Sequence, residues 1–144
     1  MNLYLKTNYA NGNRIKIVLL DTHIFLWWLF DDARLPVNIR DYIQDIDNTV
    51  YVSAASAWEI ATKFRLGKLP EASSVARKVP YWVEKAGFQA LSVTMEHAQL
   101  AGSWSVAHRD PFDRILAAQA KLEKIPLAST DSAMQNFSIE LIGD

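Results

Sequence analysis

Four consecutive apolar residues, Ile17-Val18-Leu19-Leu20, run straight into Asp21 and Thr22. No alternation separates an inner from an outer face, so a strand here must be covered on both sides. That requirement points to a parallel sheet held between helices. Strand character already begins at Ile15, and residues 24–30, which follow, are an apolar run compatible with helix. Asp21 falls where the strand ends and the chain turns. In open α/β sheets ligands bind at the carboxyl edge, and an acid placed there packs poorly but holds a cation well.

The rest of the chain repeats the alternation. Pro36 suits the first turn of a helix with Ile39, Tyr42, Ile43 and Ile46 on one face. Thr49-Val50-Tyr51-Val52-Ser53 is a second strand. A helix over 54–66 repeats Ala57, Ile60, Ala61 and Phe64 until Gly67 stops it. Residues 73–86 carry a helical pattern broken by Pro80, and residues 88–93 form a weaker third strand before a short helix over 95–102. Asp110 and Pro111 open the clearest helix, as N-cap and first residue, with Phe112, Ile115, Leu116 and Leu122 facing the core. A fourth strand over 126–130 ends on Asp131. A short helix over 131–136 then leads to a last strand, Ile139-Glu140-Leu141-Ile142. Strands alternating with helices make βαβ units. The expected class is α/β, a three-layer fold with a mainly parallel central sheet and helices on both faces.

At 144 residues one domain is expected, over residues 15–144. Residues 1–14 are polar and aperiodic, and are read as an N-terminal extension, either disordered or a product of start-site choice. The apolar stretch from Ile15 to Phe30 is interrupted by Lys16, Asp21 and His23. It is shorter than the ~20 residues of a membrane span and lacks the order of a secretory signal. The apolar run over 24–30 is hydrophobic on every side, more than one-sided packing on a sheet buries, so either a second element or another chain covers it, the partner surface being favoured.

Fifteen basic residues against sixteen acidic ones give a formal charge of -1, so no global field draws nucleic acid to the chain. There is no cysteine, which excludes disulfides and thiolate metal sites and fits a reducing cytoplasm. Any metal here is held by oxygen and imidazole.

The βαβ rule places the acids. Asp21 follows the first strand and Asp131 the fourth; Asp113 sits in the first turn of the helix leading into the fourth strand. Glu59 lies about five residues into its helix, roughly 7–8 Å along the axis, with its side chain tilted back toward the helix start. Four carboxylates therefore converge on one rim. They repel unless a cation or proton joins them, and oxygen ligands suit Mg²⁺ or Mn²⁺. Each acid also has a plainer role: helix caps for Asp21 and Asp131, a favourable dipole position for Asp113, and an ion pair with Lys63 for Glu59. Lys63, Lys68, Arg109 and Arg114 are placed to flank the rim and grip a phosphate backbone.

Four motifs occur in order: Leu19-Leu20-Asp21-Thr22-His23, Ser53-Ala54-Ala55-Ser56-Ala57-Trp58-Glu59-Ile60, Asp110-Pro111-Phe112-Asp113-Arg114-Ile115-Leu116-Ala117-Ala118-Gln119-Ala120 and Ser129-Thr130-Asp131. Together they resemble PIN-domain proteins, in particular VapC-type toxins of bacterial toxin–antitoxin pairs. The resemblance implies a PIN-like fold and a Mg²⁺-dependent (or Mn²⁺-dependent) endoribonuclease. It maps Asp21, Glu59, Asp113 and Asp131 onto the catalytic acids, with Asp21, Asp113 and Asp131 as metal ligands. It also implies an RNA substrate, a homodimer and a cognate antitoxin that covers a hydrophobic groove and the acids.

A competing reading is a catalytically silent PIN-like module that binds RNA or peptide, which a divalent-metal titration separates from the enzyme. An aspartyl phosphatase on a related sheet would want a second Asp two positions after the first, where His23 stands.

Overall fold

The computed structural model describes residues 16–143, so the expected extension over residues 1–14 lies outside the described residues. Strand β1 (Ile17–Leu20) is buried at all four positions, as the unbroken apolar run requires. It pairs in parallel with β2 (Thr49–Ser53) on one side and β4 (Leu127–Ala128) on the other. Beyond them lie β3 (Gln89–Leu91) and β5 (Leu141–Ile142), again parallel. The strand order is β3-β2-β1-β4-β5. After β1 the chain builds outward through β2 to β3, then returns to the far side of β1 for β4. The direction of winding thus reverses between β1 and β4, the kind of switch point that opens a crevice at the carboxyl ends of the strands.

The period of two along β1 sorts its side chains between two cores. Val18 and Leu20 pack with Val50 and Val52 under α1 (Thr22–Leu29), α2 (Val37–Gln44), α3 (Ala54–Arg65) and α4 (Val79–Lys85). Ile17 and Leu19 face the other way, onto Leu116, Ala117 and Ala120 of α6 (Pro111–Glu123) and onto Met134 and Phe137 of the 3-10 segment Ser132–Phe137. Helix α5 (Met95–Ser103) lies along α6. The expected three layers are present. No described helix is long and apolar enough to cross a membrane.

Several expectations need correction. Helix α1 is mostly covered by the chain itself: Ile24, Phe25 and Leu26 are buried, and Trp27, Trp28 and Leu29 pack partly against the same core. Phe88 closes over it, 6.3 Å from Phe25 and 6.2 Å from Trp28 between ring centres. Phe30, at its end, stays exposed. Ile46 lies beyond the end of α2, which is capped at Asp45, and is 95% exposed. In α3 the buried side is Ala55, Ser56, Glu59 and Ile60, while Ala61 faces out. The inward stripe therefore carries two polar residues, which apolar periodicity alone passes over. Leu122 is exposed near the end of α6. Pro80 does not break a helix but sits in the first turn of α4, where its missing N–H costs nothing.

Candidate metal and catalytic site

Each acid reaches the crevice through its own local structure. Asp21 ends β1, tied to the neighbouring strand by its N–H to the Ala128 carbonyl at 3.0 Å, and its Oδ1 accepts the Ile24 N–H at the start of α1. Asp113 occupies the first turn of α6, whose N-cap Asp110 accepts the N–H groups of Phe112 and Asp113. Asp131 follows β4 and caps the 3-10 segment through the Ala133 N–H. Glu59 is buried on α3, with Thr22 Oγ1 donating to its Oε1 and Lys63 Nζ to its Oε2. Asp21, Glu59, Asp113 and Asp131 line one cavity of about 220 Å³, together with Thr22, His23, Lys63 and Asp110. The plainer roles hold as well: two of the acids are helix caps, and Glu59 does pair with Lys63.

Burial decides the electrostatics. It pushes the Asp21 carboxyl up to about 6, against the opposing effects of hydrogen bonds from Ser129 and Ile24. Burial likewise raises Asp113, opposed by its hydrogen bond with His108. Nearby acids push both the same way: Asp113 acts on Asp21, and Asp110 and Glu59 act on Asp113. Lys63 loses charge stability to burial, but the Glu59 carboxylate outweighs that and holds its ammonium above the usual range. Buried, mutually repelling carboxyls of this kind favour either a proton or a bound cation.

Three groups offer ligand atoms within 4.8 Å of one another: His108, Asp113 and Asp131. His108 Nε2 lies 2.9 Å from Asp113 Oδ2. Asp21 shares the cavity but stands outside that set of three. The carboxylate oxygens of this set suit Mg²⁺ or Mn²⁺, while the His108 imidazole is engaged by Asp113.

The basic residues separate. Lys63 is in the cavity, bound to Glu59; Lys68 lines an adjoining cavity; Arg109 is exposed beside the α6 cap. Arg114 does not face the rim. Its guanidinium donates to the carbonyls of Ala101 (2.6 Å), Val106 (2.7 Å), His108 (2.6 Å) and Trp104. A fork with its donors spent on backbone oxygens has little left for phosphate. Arg114 is therefore turned from the phosphate side and instead shapes the segment that carries His108.

Sequence reasoning assigned no ligand role to His108, which sits in an irregular stretch with no period to orient it. Thr22 and Ser129 were also passed over. Ser129 hydrogen-bonds the Asp21 carboxyl and accepts the Asp131 N–H, so it links two of the acids. The only signal for either was its place beside an acid at the end of a strand.

The family model described as PIN domain matches residues 18–140. The chain belongs to the PIN domain family. This PIN domain is 47% identical over 58 residues to Ribonuclease VapC16 of Mycobacterium tuberculosis, a match spanning 40% of this chain and 41% of that protein. Its fold is similar to VapBC-1 from nontypeable Haemophilus influenzae, with a TM-score of 0.63 at 15% identity, over 88% of this chain and 96% of that one. VapBC2 from Rickettsia felis gives a TM-score of 0.62 at 14% identity, covering 88% and 97%. At these identities the likeness is one of fold.

The raised Asp21 carboxyl makes a prediction for the metal-free PIN domain. Between pH about 4 and 6 the folded chain keeps a proton that the unfolded chain, with its carboxyl near 3.8, has released. Stability therefore falls as pH rises through this window and is flat above it, by up to about 3 kcal/mol. Urea midpoints in EDTA should drop from pH 4 to pH 6.5 in the wild type and much less in Asp21→Asn. An equal drop in both would refute the assignment.

Proposed function

We propose that this PIN domain is a VapC-type toxin, an endoribonuclease that hydrolyses RNA phosphodiester bonds at a Mg²⁺ or Mn²⁺ held by its carboxylates. In this reading it is inhibited by a cognate antitoxin, works as a homodimer and acts in the cytoplasm. One observation carries the proposal. Acids from the end of β1, from α3 and α6 and from the turn after β4 face a single cavity at the switch point, and burial raises the carboxyls of two of them, Asp21 and Asp113. The partial match to Ribonuclease VapC16 supports the substrate class.

Asp21, Asp113 and Asp131 are the residues that would hold the ion, with His108 beside them. When bound, the ion neutralises charge on the phosphate oxygens and makes a water a better nucleophile. The chain supplies the rest. Ser129 and the Ile24 N–H fix the Asp21 carboxyl, and His108 fixes that of Asp113. Glu59 holds Lys63 at the cavity wall, where the ammonium offsets the negative charge that builds on the phosphate as water adds and the P–O bond to the leaving ribose breaks. Asp110, already committed to capping α6, adds negative potential that favours the cation.

The direct test uses purified protein and end-labelled single-stranded RNA. Cleavage should appear with Mg²⁺ or Mn²⁺, stop in EDTA and return with excess metal. RNA left intact under every metal condition would leave the silent binding module as the reading. Cleavage indifferent to EDTA would remove the carboxylate–metal mechanism.

A further inference from the structure

A second cavity, of about 570 Å³, opens beside the acid site, within the roughly 300–1,000 Å³ range of small-molecule sites. The two share His23 as a common wall. The lining of the second cavity gathers flat groups. The His23 ring lies 6.0 Å from the Trp27 indole at 49°, and the Arg34 guanidinium sits over the same indole at 5.1 Å. Phe30 adds a ring that is 41% exposed. Charge is distributed unevenly around them. Arg34 is neutralised by Asp32, at 2.7 Å, whereas Lys68 and Glu71 stand exposed on the opposite segment.

We propose that this cavity seats one unpaired nucleobase of the RNA strand, next to the phosphate presented to the carboxylates. The proposal rests on the ribonuclease reading above. A nucleotide brings a π face, a hydrogen-bonding edge and a tethered anion. The exposed rings of His23 and Phe30, with the part of Trp27 that Arg34 and the core leave open, offer stacking surface, Glu71 an acceptor for exocyclic amino groups, and Lys68 a cation for the backbone. Five of the nine lining residues are polar or charged, which suits the polar edge and anionic backbone of a nucleotide. Because His23 borders both cavities, a base held here leaves its own phosphate within reach of the acids. A base inside a duplex cannot enter, so the site selects loops and single strands.

Binding is read by fluorescence anisotropy with labelled octaribonucleotides in Mg²⁺, using Asp113→Asn as the parent so that the measurement does not depend on cleavage. Abasic nucleotides are substituted one position at a time. The parent should show one position where removing the base weakens binding about 5- to 100-fold. Trp27→Ala in that parent should weaken the intact oligonucleotide by a similar factor and erase the penalty at that position. Trp27 packs partly on the core, so His23→Ala, at an exposed ring, is the second variant and should reduce the same penalty. Lys68→Ala should weaken binding at all positions alike and lower the salt slope by about one. A penalty that persists in both ring variants overturns the proposal, as does a parent that shows no position where removing the base weakens binding. Failure of the ribonuclease reading is separate: it shows as a wild type that cuts no RNA with any metal.

Discussion

Asp113→Asn is expected to lower Mg²⁺-dependent RNA cleavage by at least about a hundredfold while the domain stays folded. Loss of groups that merely orient metal ligands already costs ~10–100-fold, and Asp113 is placed as a ligand itself, one of three groups within 4.8 Å. Asparagine keeps the shape and an oxygen for the His108 contact, so the change removes charge and little else. Removing a carboxylate that burial holds above its usual range should leave the metal-free protein no less stable. A helix-dipole role for Asp113 makes the opposite forecast: a stability loss of about 0.3–1 kcal/mol with activity kept. Measuring single-turnover cleavage and urea midpoints on the same sample separates the two. Cleavage within a few-fold of wild type would remove Asp113 from the metal site.

Arg114→Ala should destabilise the fold by about 3–5 kcal/mol, a drop of roughly 10–15 °C in Tm. Four backbone carbonyls, from Ala101 at the end of α5 to His108, converge on one guanidinium. Its central carbon also lies 6.0 Å from the Phe137 ring. Residues 104–110, between α5 and α6, belong to no helix or strand, so this fork holds much of their shape. Lysine cannot substitute, since one ammonium does not span four acceptors. Differential scanning calorimetry measures the loss. Unchanged stability with weakened RNA binding would restore Arg114 to the phosphate backbone and contradict the hydrogen bonds described here.

Much of this was legible in the residue order. The unbroken run Ile17–Leu20 demands cover on both faces, and the βαβ rule then sends Asp21, Asp113 and Asp131 to one edge without coordinates. The convergence of Glu59 followed from its depth in α3. What escaped was set by contacts without a period. His108 reaches Asp113 from an irregular segment shaped by Arg114, and neither residue type announces that partner. The inward face of α3 was misjudged at Ala61 because polar Ser56 and Glu59 are buried toward the acids, against apolar patterning. Pro80 reads as a helix breaker in the sequence, since a proline in a first turn and one in a helix interior look alike until the helix start is known.

The strand order has a consequence for the chain during its synthesis. β4 is the fourth strand to leave the ribosome, yet it must insert directly against β1, the first. Until it does, Asp21 and Glu59 wait on a half-built sheet, and the turn bearing Asp131 has nowhere to dock. The cavity that the four acids line is therefore completed late, when the turn carrying Asp131 closes its far side.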